Sequence, residues 1–220
     1  MELINSNIYL IKNQSIFPSN TYLYVFNKSN NCIIIDPGFD FEIIKNSIIE
    51  FELKPILIFS THGHFDHIAG VSFLKKYFNI PFCLHELDLK IMKSSNFFLK
   101  VAKIDFKIEL QEPDFLFKGE IDTLKINDIN LEAYLFPGHS PGSTILKIGH
   151  YLFSGDILYK NTIGKETIPK ENKRLLKQSI NKIFQIFSGN SLIFPGHGLF
   201  ENLNRIKNDN KALQIFLNEK

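Results

Sequence analysis

Cysteine is scarce. The 220-residue chain has two, Cys32 and Cys83, too few for the disulfide framework that staples small secreted domains. Both lie in β-like apolar runs, Cys32-Ile33-Ile34-Ile35 and Pro81-Phe82-Cys83-Leu84, which reads them as small buried hydrophobes kept reduced in a cytoplasm. A metal in this chain would therefore be held by His, Asp or Glu. An excess of one charge is also lacking. The 25 basic and 23 acidic residues leave a net +2 with no long block of either sign, so electrostatics demands neither nucleic acid nor an anionic membrane surface as partner. No apolar run approaches the length of a membrane span. The start, Met1-Glu2-Leu3-Ile4-Asn5, lacks the basic and apolar regions of a secretory leader. No linker or low-complexity stretch divides the chain, and 44% of it is hydrophobic. A single domain over residues 1–220 with a substantial core is expected.

What the chain does have is histidine in a pattern. Of its seven histidines, three fall within Thr61-His62-Gly63-His64-Phe65-Asp66-His67, with a carboxylate among them. Pro55-Ile56-Leu57-Ile58-Phe59 just before reads as a buried strand, and Ile68, Val71, Leu74 and Phe78 just after are spaced as one helix face. The cluster thus sits on a strand-to-helix loop at the carboxyl end of the strand, where open α/β sheets place their sites. In extended chain, residues two apart point the same way, so His62 and His64 reach one point. Asp66 and His67 fall where the chain turns into the helix and can address a second point nearby. Imidazole and carboxylate are the usual ligands of borderline metals. The competing reading is a helix-capping Asp66 among scattered loop histidines.

Three strands are expected in residues 2–35: Ile8–Ile11, Tyr22–Phe26 and Cys32–Ile35, separated by turn formers. Asp36-Pro37-Gly38 ends the third, with Asp36 as a turn residue. Phe41, Ile44, Ile48 and Phe51 form a helical stripe, and Pro81–His85 a further strand. Residues 94–118 mix aromatics with lysines and admit two readings: helix and loop packed on the core, or an apolar lid over a substrate. β character returns at Ile121–Ile126, Ile129–Phe136, Ser143–Ile148 and Tyr151–Phe153, with Asn127-Asp128 and Gly149-His150 as hairpin turns. A helix carrying Leu176, Ile180, Ile183 and Phe187 follows, then a strand at Leu192–Phe194. A packed helical segment with Leu203, Ile206, Leu213 and Leu217 comes last. Two sheets with helices outside satisfy this order.

Three later turns, each after a β-like run, present further candidate ligands: His139 in Pro137-Gly138-His139-Ser140, Asp156 in Ser154-Gly155-Asp156, and His197 in Pro195-Gly196-His197-Gly198. Each alone reads as a turn residue. Together with the first cluster they form a set. His85 and His150 stand outside it, as strand-end or turn residues.

This set resembles the metallo-β-lactamase superfamily, whose signature is a T-H-x-H-x-D-H loop followed by later His, Asp and His. The likeness runs from Ile35-Asp36-Pro37-Gly38 through the cluster and Pro137–Ser143 to Asp156 and Pro195–Gly198, and within the superfamily it is closest to small glyoxalase II-like hydrolases. The resemblance implies an α/β fold, an αββα sandwich of two mixed β-sheets flanked by helices. It implies that His62, His64 and His139 hold one metal, that Asp66, His67 and His197 hold another, and that Asp156 bridges them. The site would take two divalent metal ions, Zn²⁺ by default for a His/Asp set, with Fe and Mn accepting the same ligands. Metals about 3.5–4 Å apart lower the pKa of a shared water toward neutrality, and Asp66 can orient that water by accepting its proton. Glyoxalase II-like proteins carry a Gly-Lys or Gly-Arg after the bridging Asp that contacts the thiol cofactor. Here Asn161-Thr162-Ile163-Gly164-Lys165 follows Asp156, making Lys165 a substrate-binding candidate with a solvated loop lysine as the alternative. Leu199-Phe200-Glu201 departs from the relatives' Thr-rich continuation.

The expected function is metal-dependent hydrolysis of an S-acyl thioester such as S-lactoylglutathione, whose thiolate leaves with little acid assistance because a thiol pKa is near ~8.5. An iron persulfide dioxygenase is the alternative within the superfamily, but the Arg-Gly-Cys-Gly-Arg run of those enzymes is absent. An RNA phosphodiesterase is disfavoured by the near-neutral charge and the lack of a basic arm.

Overall fold

A computed structural model describes residues 1–26, 29–126, 129–164 and 172–219. The chain divides into two compact units, Met1–Phe117 and Lys118–Lys220.

The first unit is a seven-stranded mixed sheet in chain order. Strands β1 (Glu2–Asn5), β2 (Ile8–Asn13), β3 (Ser19–Val25) and β4 (Asn31–Ile35) run antiparallel. Helix α1 (Phe41–Glu50) then carries the chain back to β5 (Lys54–Phe59), parallel to β4. Helices α2 (Phe65–Ile68) and α3 (Val71–Phe78) lead to β6 (Phe82–His85). A one-turn 3₁₀ helix (Glu86–Asp88), α4 (Leu89–Lys93) and α5 (Ser95–Val101) precede the parallel edge strand β7 (Phe115–Phe117). Parallel neighbours need such crossovers. Their strands read as continuous apolar runs because both faces are buried; in β4 and β5, Cys32 to Ile35 and Leu57 to Phe59 have no solvent exposure. Ile44 and Ile48 of α1 and Val71 and Leu74 of α3 meet Ile34, Ile58 and Phe82 in one core.

Two differences from the sequence reading arise here. β1 makes a fourth strand of residues 2–35; its side chains are exposed or half-buried, so it carries no buried alternation to detect. The helix expected over Ile68 to Phe78 is two helices broken at Ala69-Gly70. Gly70 donates to the Pro37 carbonyl at 2.9 Å, and a Cβ there would come within 2.9 Å of the Gly38 oxygen. That close approach to the Pro37-Gly38 turn interrupts the helical spacing. Residues 94–118 are helix, loop and edge strand. Leu99 and Ile108 are buried with Phe39 and Ala69, and Phe106 packs edge-on against Phe39 at 5.3 Å, the core-packing reading, while Phe97 points into solvent. Both cysteines are free and buried, as expected. Burial pushes the Cys32 thiol up to about 12, and burial together with the Asp114 carboxylate raises Cys83. Neither thiol is therefore expected to react with an aromatic disulfide reagent at pH 8 in the native protein, and both should react in denaturant. Titration of even one thiol per native chain would contradict this burial.

The second unit is a six-stranded mixed sheet in the order β13-β12-β11-β10-β9-β8. Strands β8 (Ile121–Ile126), β9 (Ile129–Leu135), β10 (Thr144–Ile148) and β11 (Tyr151–Gly155) form an antiparallel meander. Helix α6 (Lys173–Ile186) crosses to β12 (Leu192–Pro195), parallel to β11. The short β13 (Glu201–Asn202), α7 (Leu203–Asp209) and α8 (Lys211–Asn218) complete it. Leu176, Ile180 and Ile183 of α6 pack with Phe136, Ile145, Leu152 and Ile193, joined by Leu203, Ile206, Leu213 and Phe216. The expected turn at Asn127-Asp128 lies outside the described residues. The expected terminal helix is two helices, split at the buried Asn210. Its Oδ1 accepts from the Leu213 N–H, and its Nδ2 donates to the carbonyls of Tyr159 and Thr162. One asparagine thus starts α8 and ties down the chain beyond Asp156. Among the described residues, no helix is long and apolar enough to cross a membrane.

Candidate metal centre

In the first unit the loop from Thr61 to His67 leaves β5 extended and enters α2 at Phe65. His64 is the last extended residue, with ψ 149°, and its carbonyl accepts from the His67 N–H at 3.0 Å. This switch from extended to helical chain gathers the side chains. The His62 ring centroid lies 4.6 Å from that of His64 and 4.2 Å from that of His67. Asp66 Oδ2 is 3.3 Å from His67 Nε2. All four residues are buried. His64, the N-cap residue of α2, makes no side-chain capping bond, and Asp66 lies in the first turn.

Asp36 is the residue that sequence reasoning undervalued. Rather than closing its own turn, its carboxylate reaches the loop. It accepts from the Thr61 N–H and from Thr61 Oγ1, both at 2.7 Å, and from His67 Nδ1 at 3.1 Å. These bonds select tautomers. His67 donates from Nδ1, which leaves Nε2 as the nitrogen that could take a metal. The single Thr61 hydroxyl hydrogen goes to Asp36, so Thr61 Oγ1 accepts from His62 Nδ1 at 3.0 Å, and His62 likewise presents Nε2. Ligand atoms of Asp36, His62 and His67 lie within 4.8 Å of one another. The Asp36 oxygens are committed to Thr61 and His67, so Asp36 is placed to orient the candidate ligands. Ser19 Oγ donates to the Asp66 carbonyl at 2.9 Å, fixing the other end of the loop. The resemblance contained Asp36 in its Ile35-Asp36-Pro37-Gly38 run, but nothing in the spacing tied it to His67.

In the second unit three turns at strand ends meet. His139 follows β9, Asp156 follows β11 and His197 follows β12. Asp156 Oδ2 lies 3.6 Å from His139 Nε2 and 3.3 Å from His197 Nε2. Both imidazoles therefore aim the same nitrogen at one carboxylate oxygen. The Pro137-Gly138-His139 turn is gripped by the start of α6. Asn172 N–H donates to the Gly138 carbonyl and Ser179 Oγ to the Pro137 carbonyl, each at 2.6 Å. Ser143 Oγ accepts from the Ser140 N–H at 2.9 Å.

These separations test whether the donor set suits a metal. Two ligands held 2.0–2.1 Å from a tetrahedral ion are about 3.3 Å apart. The Asp66–His67 and Asp156–His197 pairs sit at 3.3 Å and the Asp156–His139 pair at 3.6 Å. Imidazoles presenting Nε2 beside carboxylates at that spacing, His67 and His139 buried and His197 half-buried, fit a divalent cation.

The two histidines set apart in the sequence are indeed elsewhere. His85 ends β6, and its Nδ1 accepts from the Leu87 N–H at 3.3 Å. His150 lies in a turn against Tyr151, ring to ring at 4.0 Å. Lys165, the substrate-binding candidate, falls outside the described residues.

Residues 15–197 match the metallo-β-lactamase superfamily. The chain belongs to this superfamily of metal-dependent hydrolases, and its two mixed sheets with flanking helices are the fold that in this family binds divalent metal ions. Among relatives, the hydroxyacylglutathione hydrolase GloC of Haemophilus influenzae is 30% identical over 203 residues, covering 89% of this chain and 92% of that protein. Among solved structures, the BLEG-1 B3 metallo-β-lactamase superposes with a TM-score of 0.81 at 27% identity, covering 94% of this chain and 99% of the other. TTHA1623, solved in a di-iron-bound form, is similar in fold, with a TM-score of 0.81 at 23% identity over 92% and 98% of the two chains.

Proposed function

We propose that this chain is a binuclear metal-dependent hydrolase of S-acyl thioesters, with S-lactoylglutathione as the type substrate. The observation that carries the reading is the complete ligand set of the resemblance, supported within each unit by buried imidazoles that present Nε2 beside a carboxylate. The likeness to GloC along nearly its whole length supports the thioester assignment. In this reading residues 1–220 act as one hydrolase domain. His62, His64 and His139 hold one ion, Asp66, His67 and His197 hold the other, and Asp156 serves both. Zn²⁺ is the default, and Fe and Mn suit the same donors. Bound there, the two ions would supply a water made acidic enough to attack near neutral pH and a positive counterpart to the developing oxyanion.

The chain's own residues do the rest. Asp66, at the start of α2, accepts the proton of the attacking water. Asp36 holds His67 in its Nε2-presenting tautomer and, through Thr61, does the same for His62. Lys165 pairs with the carboxylate of the thiol carrier. The small-molecule thioester is the only partner the reading requires, in a cytoplasmic setting, and nucleic acid and membrane have no part.

The test is metal analysis joined to a substrate panel. Purified protein is expected to hold about two equivalents of divalent metal per chain and to hydrolyse S-lactoylglutathione or another thioester faster than oxygen esters and phosphodiesters. Chelation should abolish turnover, and Zn²⁺, Fe²⁺ or Mn²⁺ should restore it. Metal-loaded protein inactive on every thioester in the panel would overturn the assignment, and oxygen uptake with glutathione persulfide would replace it with the dioxygenase.

A further inference from the structure

Asp36 accounts for the two ends of the Thr61–His67 loop. The middle is held by a different carboxylate. Asp88 has no solvent exposure and stands at the junction between the Glu86–Asp88 turn and α4. Its position is that of a helix N-cap, yet its side chain makes no capping bond to α4. Instead Oδ2 accepts from the Gly63 N–H at 2.8 Å. Gly63 is the residue between His62 and His64.

Sterics locks the same contact. A Cβ on Gly63 would come 2.7 Å from the Asp88 carbonyl oxygen and 3.0 Å from the Met92 nitrogen. Both are backbone atoms that cannot swing away. The loop therefore lies directly on the first turn of α4, with a charge-assisted hydrogen bond in a buried setting drawing it down. Once the Gly63 amide is pinned, the Cα–Cβ directions of its two neighbours are set, because they leave the extended chain on the same side. His85 makes the clamp rigid. By accepting from the Leu87 N–H it fixes the turn on the end of β6, so strand, turn and clamp act as one piece with the spacing His85-x-x-Asp88.

We propose that Asp88 is a positioning residue for the metal centre: its carboxylate, through the Gly63 N–H, sets the angle at which His62 and His64 converge on one ion. The inference rests on the proposed reading that these two histidines are ligands. It assigns a role to a buried acid that belongs neither to the ligand set nor to the Asp36 network.

The experiment is a Co²⁺ titration of the metal-free full chain, followed by visible absorption against a competing chelator. Asp88→Ala and Asp88→Asn are compared with the unaltered protein, and far-UV circular dichroism checks each metal-free form. Asp88→Ala is expected to bind Co²⁺ about 10–100-fold more weakly, the usual effect of losing an outer-sphere partner, with an altered band shape. Asp88→Asn retains an oxygen that can accept the Gly63 N–H and should recover affinity to within about threefold of the original. A merely structural role would lower thermal stability and leave the affinity and spectrum of the folded protein unchanged. Equal Co²⁺ affinity and spectrum in Asp88→Ala overturns the proposal, as does an Asp88→Asn as weak as the alanine variant. If Asp88→Ala does not fold, Asp88→Ser, too short to reach Gly63, takes its place. Failure of the unaltered protein to bind Co²⁺ would instead sink the metal-centre reading itself, which keeps the two failures distinct.

Discussion

Asp156→Ala is expected to lower kcat/KM for the thioester substrate by at least ~10³-fold, equivalent to about 4 kcal/mol of transition-state stabilisation, and to reduce bound metal from about two equivalents to one or fewer. The reason is geometric. Asp156 Oδ2 is the common neighbour of His139 Nε2 and His197 Nε2, so its loss removes an anion toward which both imidazoles point. In the proposed centre it also removes the charge that holds two dications in proximity. Asp156→Asn keeps the size but not the charge and should fall between. The fold should survive both changes, because Asp156 follows the last residue of β11 and the core of that unit is built from α6 and its strands. Elemental analysis, steady-state kinetics and far-UV circular dichroism on the same preparations make the test. Full metal content with full activity in Asp156→Ala would remove Asp156 from the centre.

The largest effect on stability is expected at Gly138. Its φ is +148°, in a region that favours glycine, and a Cβ there would be pressed into the backbone of Leu176, closer than real Cβ atoms approach. The obstacle is main chain of a 14-residue helix, so it cannot rotate out of the way. Backbone strain of ~1–3 kcal/mol and overpacking of ~1–3 kcal/mol give an expected destabilisation for Gly138→Ala of about 2–6 kcal/mol. That is a large fraction of the 5–15 kcal/mol typical of a folded domain. Relief requires α6 to move, which breaks the Asn172–Gly138 and Ser179–Pro137 bonds and releases His139. Urea unfolding should show the fall in midpoint, and metal affinity should fall with it. A midpoint within error of the unaltered protein would mean the turn is not gripped as described.

The order of elements was largely legible because most of it rests on apolar periodicity, which is local. Ile44 and Ile48, or Leu176, Ile180 and Ile183, announce their helices whatever surrounds them. The strands β1 and β13 did not announce themselves. One has no buried face and the other has two residues, so their pairing is decided by neighbours and not by their own composition. The helix breaks at Gly70 and Asn210 were hidden for a related reason. Each residue serves a distant partner, the Pro37 carbonyl in one case and the Tyr159 and Thr162 carbonyls in the other.

The candidate ligands, too, were readable, since metal chemistry restricts residue type and a strand end restricts place. Their supports were not. Asp36 looked like a turn residue and Asp88 like any acid near a helix start.

By itself, then, the sequence determined the candidate donor set, the family and the sites of buried thiols, for these depend on side-chain chemistry and short-range spacing. Only the tertiary structure decided which nitrogen His62 and His67 present, which carboxylates hydrogen-bond to the Thr61–His67 loop, and why Gly63 and Gly138 must be glycine. Those are facts about atoms 25 to 42 residues apart in sequence, as for Gly63 with Asp88 and Pro137 with Ser179, brought within hydrogen-bond reach by packing. No pattern along the chain records a contact of that range.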